Sequence, residues 1–235
     1  MATATQVQFI RAQNEAIVRL ATRDLAAFWS TLDLSRPEAA RNALLRFTPV
    51  LVDQYGQAAA SVAADWYEDV RAAERVRVPY RARVAEPVAA EVVQTRTRFG
   101  AGHLFTESPE VTQTFLASAL TKYVLQPGRD TIVENARRDP AAVGWHRETR
   151  PSSSYASGCR FCRLLAQRGA VYKDTTVRFA AHGDCKCVGV PSWDASAPEV
   201  DAIAYVASER TSRMTPEQKA LHNARLQRAI DEYVG

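Results

Sequence analysis

Four cysteines and one histidine carry the clearest chemistry in this chain, and all fall between Cys159 and Cys187. Cys159 and Cys162 form a C-x2-C pair, and His182, Cys185 and Cys187 follow as H-x2-C-x-C. Two thiolates at that spacing can turn toward one ion, and the second cluster completes a tetrahedral shell. Cys185 and Cys187 face the same way if Lys186 is extended, because side chains alternate along a strand. Five donors compete for four positions, so the expected set is Cys159, Cys162, Cys185 and one of His182 or Cys187. Four protein ligands leave no open position for a substrate. The expected ion is therefore a structural zinc that stabilises a module too small to fold by burial alone. The bland alternative is inert thiols, or disulfides formed after release from the cell. The N-terminus places Arg11, Glu15, Arg19, Arg23 and Asp24 where a signal peptide would need an apolar core, so we expect synthesis in a reducing compartment, which favours metal ligands.

An enzymatic rival uses overlapping residues. His146-Arg147-Glu148 followed by Cys159-x-x-Cys162 resembles the H-x-E and P-C-x-x-C signature of zinc deaminases. Gly158 stands where that signature has proline, and the short link from Glu148 to Cys159 holds Pro151 and three serines, leaving no room for an intervening strand. No phosphate-binding glycine loop, nucleophile elbow or carboxylate pair can be singled out, and the expectation is a protein that is not an enzyme. His103 and His222 stand alone, and Trp29, Trp66, Trp145 and Trp193 read as packing residues.

The charge pattern bounds the partners. Thirty basic residues against twenty-six acidic ones give a net charge of only +4, so any nucleic-acid contact must be local. The local candidate is the segment holding Arg71, Arg75, Arg77, Arg81 and Arg83, which could meet phosphates or an acidic protein surface. Its simpler reading is a solvated helix face and linker. A zinc-containing nucleic-acid-binding protein is the alternative function this segment motivates. No apolar run reaches the roughly 18 residues of a membrane span, and no membrane partner is expected.

The elements that position these groups are mainly α-helical. An amphipathic helix is expected over residues 5–32, with Ile10, Ile17, Ala21 and Phe28 on one stripe. Ser35, Pro37 and Glu38 form a capping-box pattern for a second helix ending near Phe47, and Thr48-Pro49 restarts a third that runs to about Arg77. Residues 88–98 read as helix until Gly100 and Gly102. Ser108-Pro109 opens another to about Leu125, and Pro127-Gly128 separates it from a shorter one ending at Asp139-Pro140. A boundary near Ala142 then divides a helical domain, 1–142, from a Cys/His-rich α+β module, 143–198, and a helical tail, 199–235. Within the module, 160–168 reads as a short helix and 170–172 and 176–179 as short strands. Thr215, Pro216 and Gln218 cap the last helix.

From Gly144-Trp145 to Trp193 the chain resembles the C-terminal module of Mu F-like phage minor head proteins, in the form found in phages of actinobacteria. The residues that carry the likeness are Gly144-Trp145, the run from Gly158 to Tyr172 (GCRFCRLLAQRGAVY), the HGDCKC of His182 to Cys187, and Pro191. The family commonly has proline after the histidine of the second cluster, where Gly183 stands here, and the ligand order is unaffected. The resemblance implies a minor capsid protein of head morphogenesis, associated with the portal on the virion interior. Its implied partners are the portal protein, the major capsid protein and packaged DNA, with a role in DNA packaging or ejection.

Overall fold

The computed structural model describes residues 2–149, 162, 166, 172–173, 178–179, 181–198, 215–218, 220–221 and 224. It is mainly helical: α1 (Ala4–Trp29), α2 (Pro37–Ala73), α3 (Ala90–Gly100), a 3-10 turn (Ala101–Phe105) and α4 (Val111–Arg138), followed by β1 (Gly144–Glu148) and β2 (Val188–Ser192). Thr3 and Gln6 cap α1 reciprocally, the Thr3 hydroxyl accepting from the Gln6 N–H at 3.2 Å and the Gln6 side chain accepting from the Thr3 N–H at 2.8 Å. Its stripe of Ile10, Ile17 and Ala21 is buried as the spacing requires, and Phe28 stacks on Phe47 at 3.8 Å. The Ser35–Glu38 capping box does not form. Ser35 instead donates its hydroxyl to Asp33 at 2.6 Å in a tight turn, and α2 starts at Pro37 uncapped.

The two prolines expected to break helices lie inside continuous ones. Pro49 cannot donate to the carbonyl of Leu45, four residues back. Gln94 of α3 supplies that donor from its side-chain amide at 3.5 Å, while the Thr48 hydroxyl bonds the Leu44 carbonyl at 3.0 Å and meets Thr97 at 2.7 Å. The discontinuity in α2 is thus where α3 docks. Pro127 and Gly128 instead mark a close approach. A Cβ on Gly128 would stand 2.9 Å from the Ala59 carbonyl oxygen, and one on Gly56 would stand 3.2 Å from Pro127. The facing side of α2 carries Ala59, Ala60 and Ala63, all buried, so small side chains on both helices let the backbones come together. Gly128→Val should therefore overpack the crossing and cost about 2–3 kcal/mol. Thermal unfolding followed by circular dichroism checks this, and an unchanged melting temperature would mean the helices do not touch there.

The extended chain between α2 and α3 is strapped across α4. Asn135, fully buried, accepts from the Arg83 N–H at 2.8 Å and donates to the Arg83 carbonyl at 2.7 Å, and the Thr131 hydroxyl accepts from the Ala85 N–H at 3.0 Å. Beyond α4, β1 and β2 pair antiparallel with Trp145 opposite Pro191. A proline is accommodated because the N–H and carbonyl of Trp145 both bond Tyr172 on the other side, at 3.3 and 2.7 Å. Tyr172 is thus the strand residue expected over 170–172, held as a single bridge. Most of 176–179 and 160–168 lies outside the described residues, within which Cys162 and Ala166 are helical. The sheet covers one end of the helices: Tyr67, Val133 and Ala136 share a buried cluster with Trp145, Tyr172 and Phe179, and Val7, Ile10 and Trp66 share another with Val188 and Val190. In the tail, the Thr215 hydroxyl accepts from the Gln218 N–H at 3.3 Å and residues 216–218 are helical, while Leu221 is exposed.

Candidate metal centre

The second half of the cluster is a turn fastened to α4. Asp184 adopts φ 55°, a left-handed conformation that aspartate tolerates better than most residues. It is held there by Ser118, whose hydroxyl donates to the Asp184 carboxylate at 2.6 Å and whose carbonyl accepts from the Asp184 N–H at 3.3 Å. A Cβ on Gly183 would lie 2.7 Å from the Ser118 hydroxyl, so a larger residue there would require that side chain to shift. Chain leaving the turn passes through Cys185 and Cys187 directly into β2.

Against this turn stands Cys162. Its Sγ lies 3.2 Å from His182 Nε2 and 3.8 Å from Cys185 Sγ, and the three ligand atoms all fall within 4.8 Å of one another. Tetrahedral thiolates bound at about 2.3 Å are separated by about 3.8 Å across the ion, so the sulfur pair already has the required spacing. His182 Nδ1 bonds the Gly183 carbonyl, which leaves Nε2 as the free lone pair on the side of the sulfurs. Cys162, Cys185 and Cys187 are all buried. These residues could hold a metal ion, and their softness and number suit zinc.

The thiols perturb one another. Hydrogen bonds from Cys162 and Cys187, with the Arg129 charge nearby, hold the Cys185 thiol well below the usual range. Cys162 is pushed far up by its contacts with Cys185 and Cys187 and by burial. Cys187 is pushed up to about 11: its contact with Cys162 lowers it, but the Cys185 contact, burial and the Cys185 charge raise it further. Ionising one of these sulfurs makes ionising its neighbours harder, and a divalent cation bound among them would offset that mutual repulsion.

Of the five expected donors, Cys162, His182 and Cys185 come together, Cys187 adjoins the two sulfurs, and Cys159 lies outside the described residues. His146 and Glu148 do not face this cluster. Alternation along β1 sends Arg147 toward Cys162, with Nη1 4.0 Å from Sγ, and turns its neighbours the other way, where Glu148 meets Arg11 at 3.3 Å and His146 at 3.8 Å. The hydrogen bond from His146, partly opposed by burial, and the Arg11 charge hold the Glu148 carboxyl below its usual range. Of the arginine segment, Arg75, Arg77, Arg81 and Arg83 are exposed. Arg71 is buried instead, with Nε 2.8 Å from Asp139. The residues missed from sequence are Arg129, Arg147 and Ser118. A signal existed for the first two, since Arg129 interrupts the apolar face around Leu125, Ile132 and Val133, and Arg147 falls in register with Trp145.

Residues 1–208 match the sequence profile of the VG15 protein family. The chain belongs to the VG15 family. This places the VG15 chain among phage-encoded proteins. No curated protein and no solved structure matched it. Among its described residues, no helix is long and apolar enough to cross a membrane.

Proposed function

We propose that this VG15 protein is a minor capsid protein of Mu F-like type, a structural component of the virion interior associated with the portal, and not an enzyme. The observation that carries the reading is the Cys162–His182–Cys185 cluster. It joins the buried Cys162 thiol to a turn fastened to α4 that carries His182 and the buried Cys185, and these donors could close a structural zinc shell with Cys159 or Cys187 as the fourth ligand. A closed shell fixes shape without offering a reaction site. Such a shell would present a fixed surface, suited to docking on the portal protein and major capsid protein. The exposed Arg75, Arg77, Arg81 and Arg83 lie on a strap whose backbone is anchored, which suits contact with packaged DNA during packaging or ejection.

Quantitative mass spectrometry of purified virions tests the reading. A few copies per particle, retained after nuclease treatment and recovered with the portal, are expected. A chain found in the infected cell but missing from the particle would end it.

A further inference from the structure

An open cavity of about 200 Å³ lies where α1, α4 and the cysteine turn meet, and its described lining holds none of the candidate metal ligands. The turn presents Lys186 to it. Cys185 and Cys187 on either side are buried, so alternation along the extended chain turns the residue between them outward. α1 contributes Arg11, Glu15, Val18 and Arg19, whose three- and four-residue spacing puts them on one face of the helix. α4 contributes Leu125, which is 4% exposed and gives the cavity a buried apolar wall.

Charge decides one property of a ligand for this cavity. Arg11 is tied down, with Nη2 donating to the Glu148 carboxylate at 3.3 Å and to the Thr149 carbonyl at 2.6 Å, so its charge is answered within the protein. Arg19 and Lys186 are exposed, and Glu15 offsets one of them, which leaves a surplus of one positive charge in the described lining. A carboxylate matches that surplus, whereas a phosphate monoester carries nearly two negative charges at neutral pH. The guanidinium fork also donates to a carboxylate through two parallel hydrogen bonds. Size decides the second property. The cavity exceeds the roughly 150 Å³ that admits benzene and falls short of the roughly 300–1,000 Å³ of drug-sized sites. Val18 and Leu125 thus offer an apolar wall for one ring or one branched aliphatic group.

We propose that this cavity binds an organic carboxylate, with a compact apolar body against Val18 and Leu125 and its head between Arg19 and Lys186. The ligand bridges α1 and the cysteine turn, so its occupancy fastens the turn to the helices by mass action. Two sources carry the same chemistry: a free small carboxylate, and the carboxyl end of a partner chain that finishes in an apolar residue. The site is independent of the capsid reading and adds a ligand to it.

The test is an amide-resolved NMR titration of the full chain with benzoate, which stands for the free carboxylate, and with N-acetyl-leucine, which stands for a chain end. Binding in the millimolar range is expected, with shifts centred on Arg19 and Lys186, and the tighter of the two probes names the source. Benzamide, which lacks the charge, should bind about 5-fold or more weakly than benzoate, and acetate, which lacks the ring, about 10-fold or more weakly. Arg19→Gln and Lys186→Gln should each weaken benzoate by about 2- to 5-fold, the range of exposed ion pairs. Val18→Phe, which fills the cavity with a ring of its own, should abolish binding while the melting temperature shows the chain still folded. If that variant fails to fold, the two exposed glutamine variants carry the test. Absence of binding by both probes, benzamide or acetate binding as tightly as benzoate, or glutamine variants that bind like wild type would each overturn the proposal.

Discussion

Cys162→Ser should lose the ion and much of the stability of the module that covers the helices. Cys162 is the point of contact between the two halves of the cluster, 3.2 Å from His182 and 3.8 Å from Cys185, so its sulfur cannot be replaced by a neighbour on the same side without moving the turn. Binding to the folded state alone stabilises by RT ln(1 + [L]/Kd), about 4 kcal/mol when free ion exceeds Kd by a thousandfold. For a chain of this size that corresponds to a fall in melting temperature of roughly 8–16 °C. Chelation of the wild-type protein should reproduce most of the fall, and Cys162→Ser should then show no further response to chelator. The loss should be local at first. Trp145 stacks on Tyr172 at 4.6 Å within the cluster shared with Cys162, so its environment should report release of the ion before the helices melt. Calorimetry with and without chelator checks the prediction, and identical melting curves would remove the structural-metal account.

The second large effect concerns Asp139, which closes α4 and joins the helices to the sheet. Its carboxylate receives Arg71 Nε at 2.8 Å, the Trp193 indole N–H at 3.0 Å and the Tyr67 hydroxyl at 3.2 Å, and the Ala141 N–H at 3.0 Å. Both ionic partners are inside, with Arg71 7% and Asp139 2% exposed. Asp139→Ala leaves the buried Arg71 guanidinium without its carboxylate and three further donors, the Trp193 indole, the Tyr67 hydroxyl and the Ala141 N–H, without that acceptor. A loss of about 3–5 kcal/mol is expected, the usual cost of removing one partner of a buried pair. Arg71→Met combined with Asp139→Ala should recover part of that loss, because the uncompensated charge is gone. Urea denaturation of the single and double variants decides the matter, and additive losses would show that the pair is not coupled.

The same site predicts a response to acid. Burial alone would raise the Asp139 carboxyl, but the hydrogen bonds from Arg71, the Ala141 N–H and Trp193 outweigh it and hold the group below its usual range. A carboxyl lowered in the folded state contributes stability that is complete above its unfolded value, about 3.9, and is lost as pH falls through the lower folded one. Wild type should therefore lose stability more steeply below about pH 4 than Asp139→Ala does.

Much of the architecture was legible because it rests on local rules. The stripe of Ile10, Ile17 and Ala21 required a helix with one buried face, and the Thr215–Gln218 pair required a capped start. The two proline readings failed for one reason. Whether Pro49 ends a helix depends on a substitute donor for the Leu45 carbonyl, and that donor is Gln94, which no local pattern connects to it. Pro127-Gly128 has the composition of a turn, yet its small size serves the crossing with Ala59. The β1–β2 pair escaped notice because its partners stand far apart in the chain and Pro191 reads as a breaker until Tyr172 is seen to take the hydrogen bonds of Trp145.

From residue types and spacing alone came the helical class, the Thr215–Gln218 cap and the candidate metal donors, since periodicity, capping and ligand softness are properties of short segments. The tertiary structure decided which donors meet, with His182 turned toward Cys162 by its own bond to Gly183, and it surrounded the sulfurs with Arg129 and Arg147. It also turned Arg71 inward to Asp139 and left Arg75, Arg77, Arg81 and Arg83 outside. The physical reason is that the energy of a charge depends on what surrounds it in space, and the groups that surround these were brought from the far ends of α2, α4, β1 and the cysteine turn by packing.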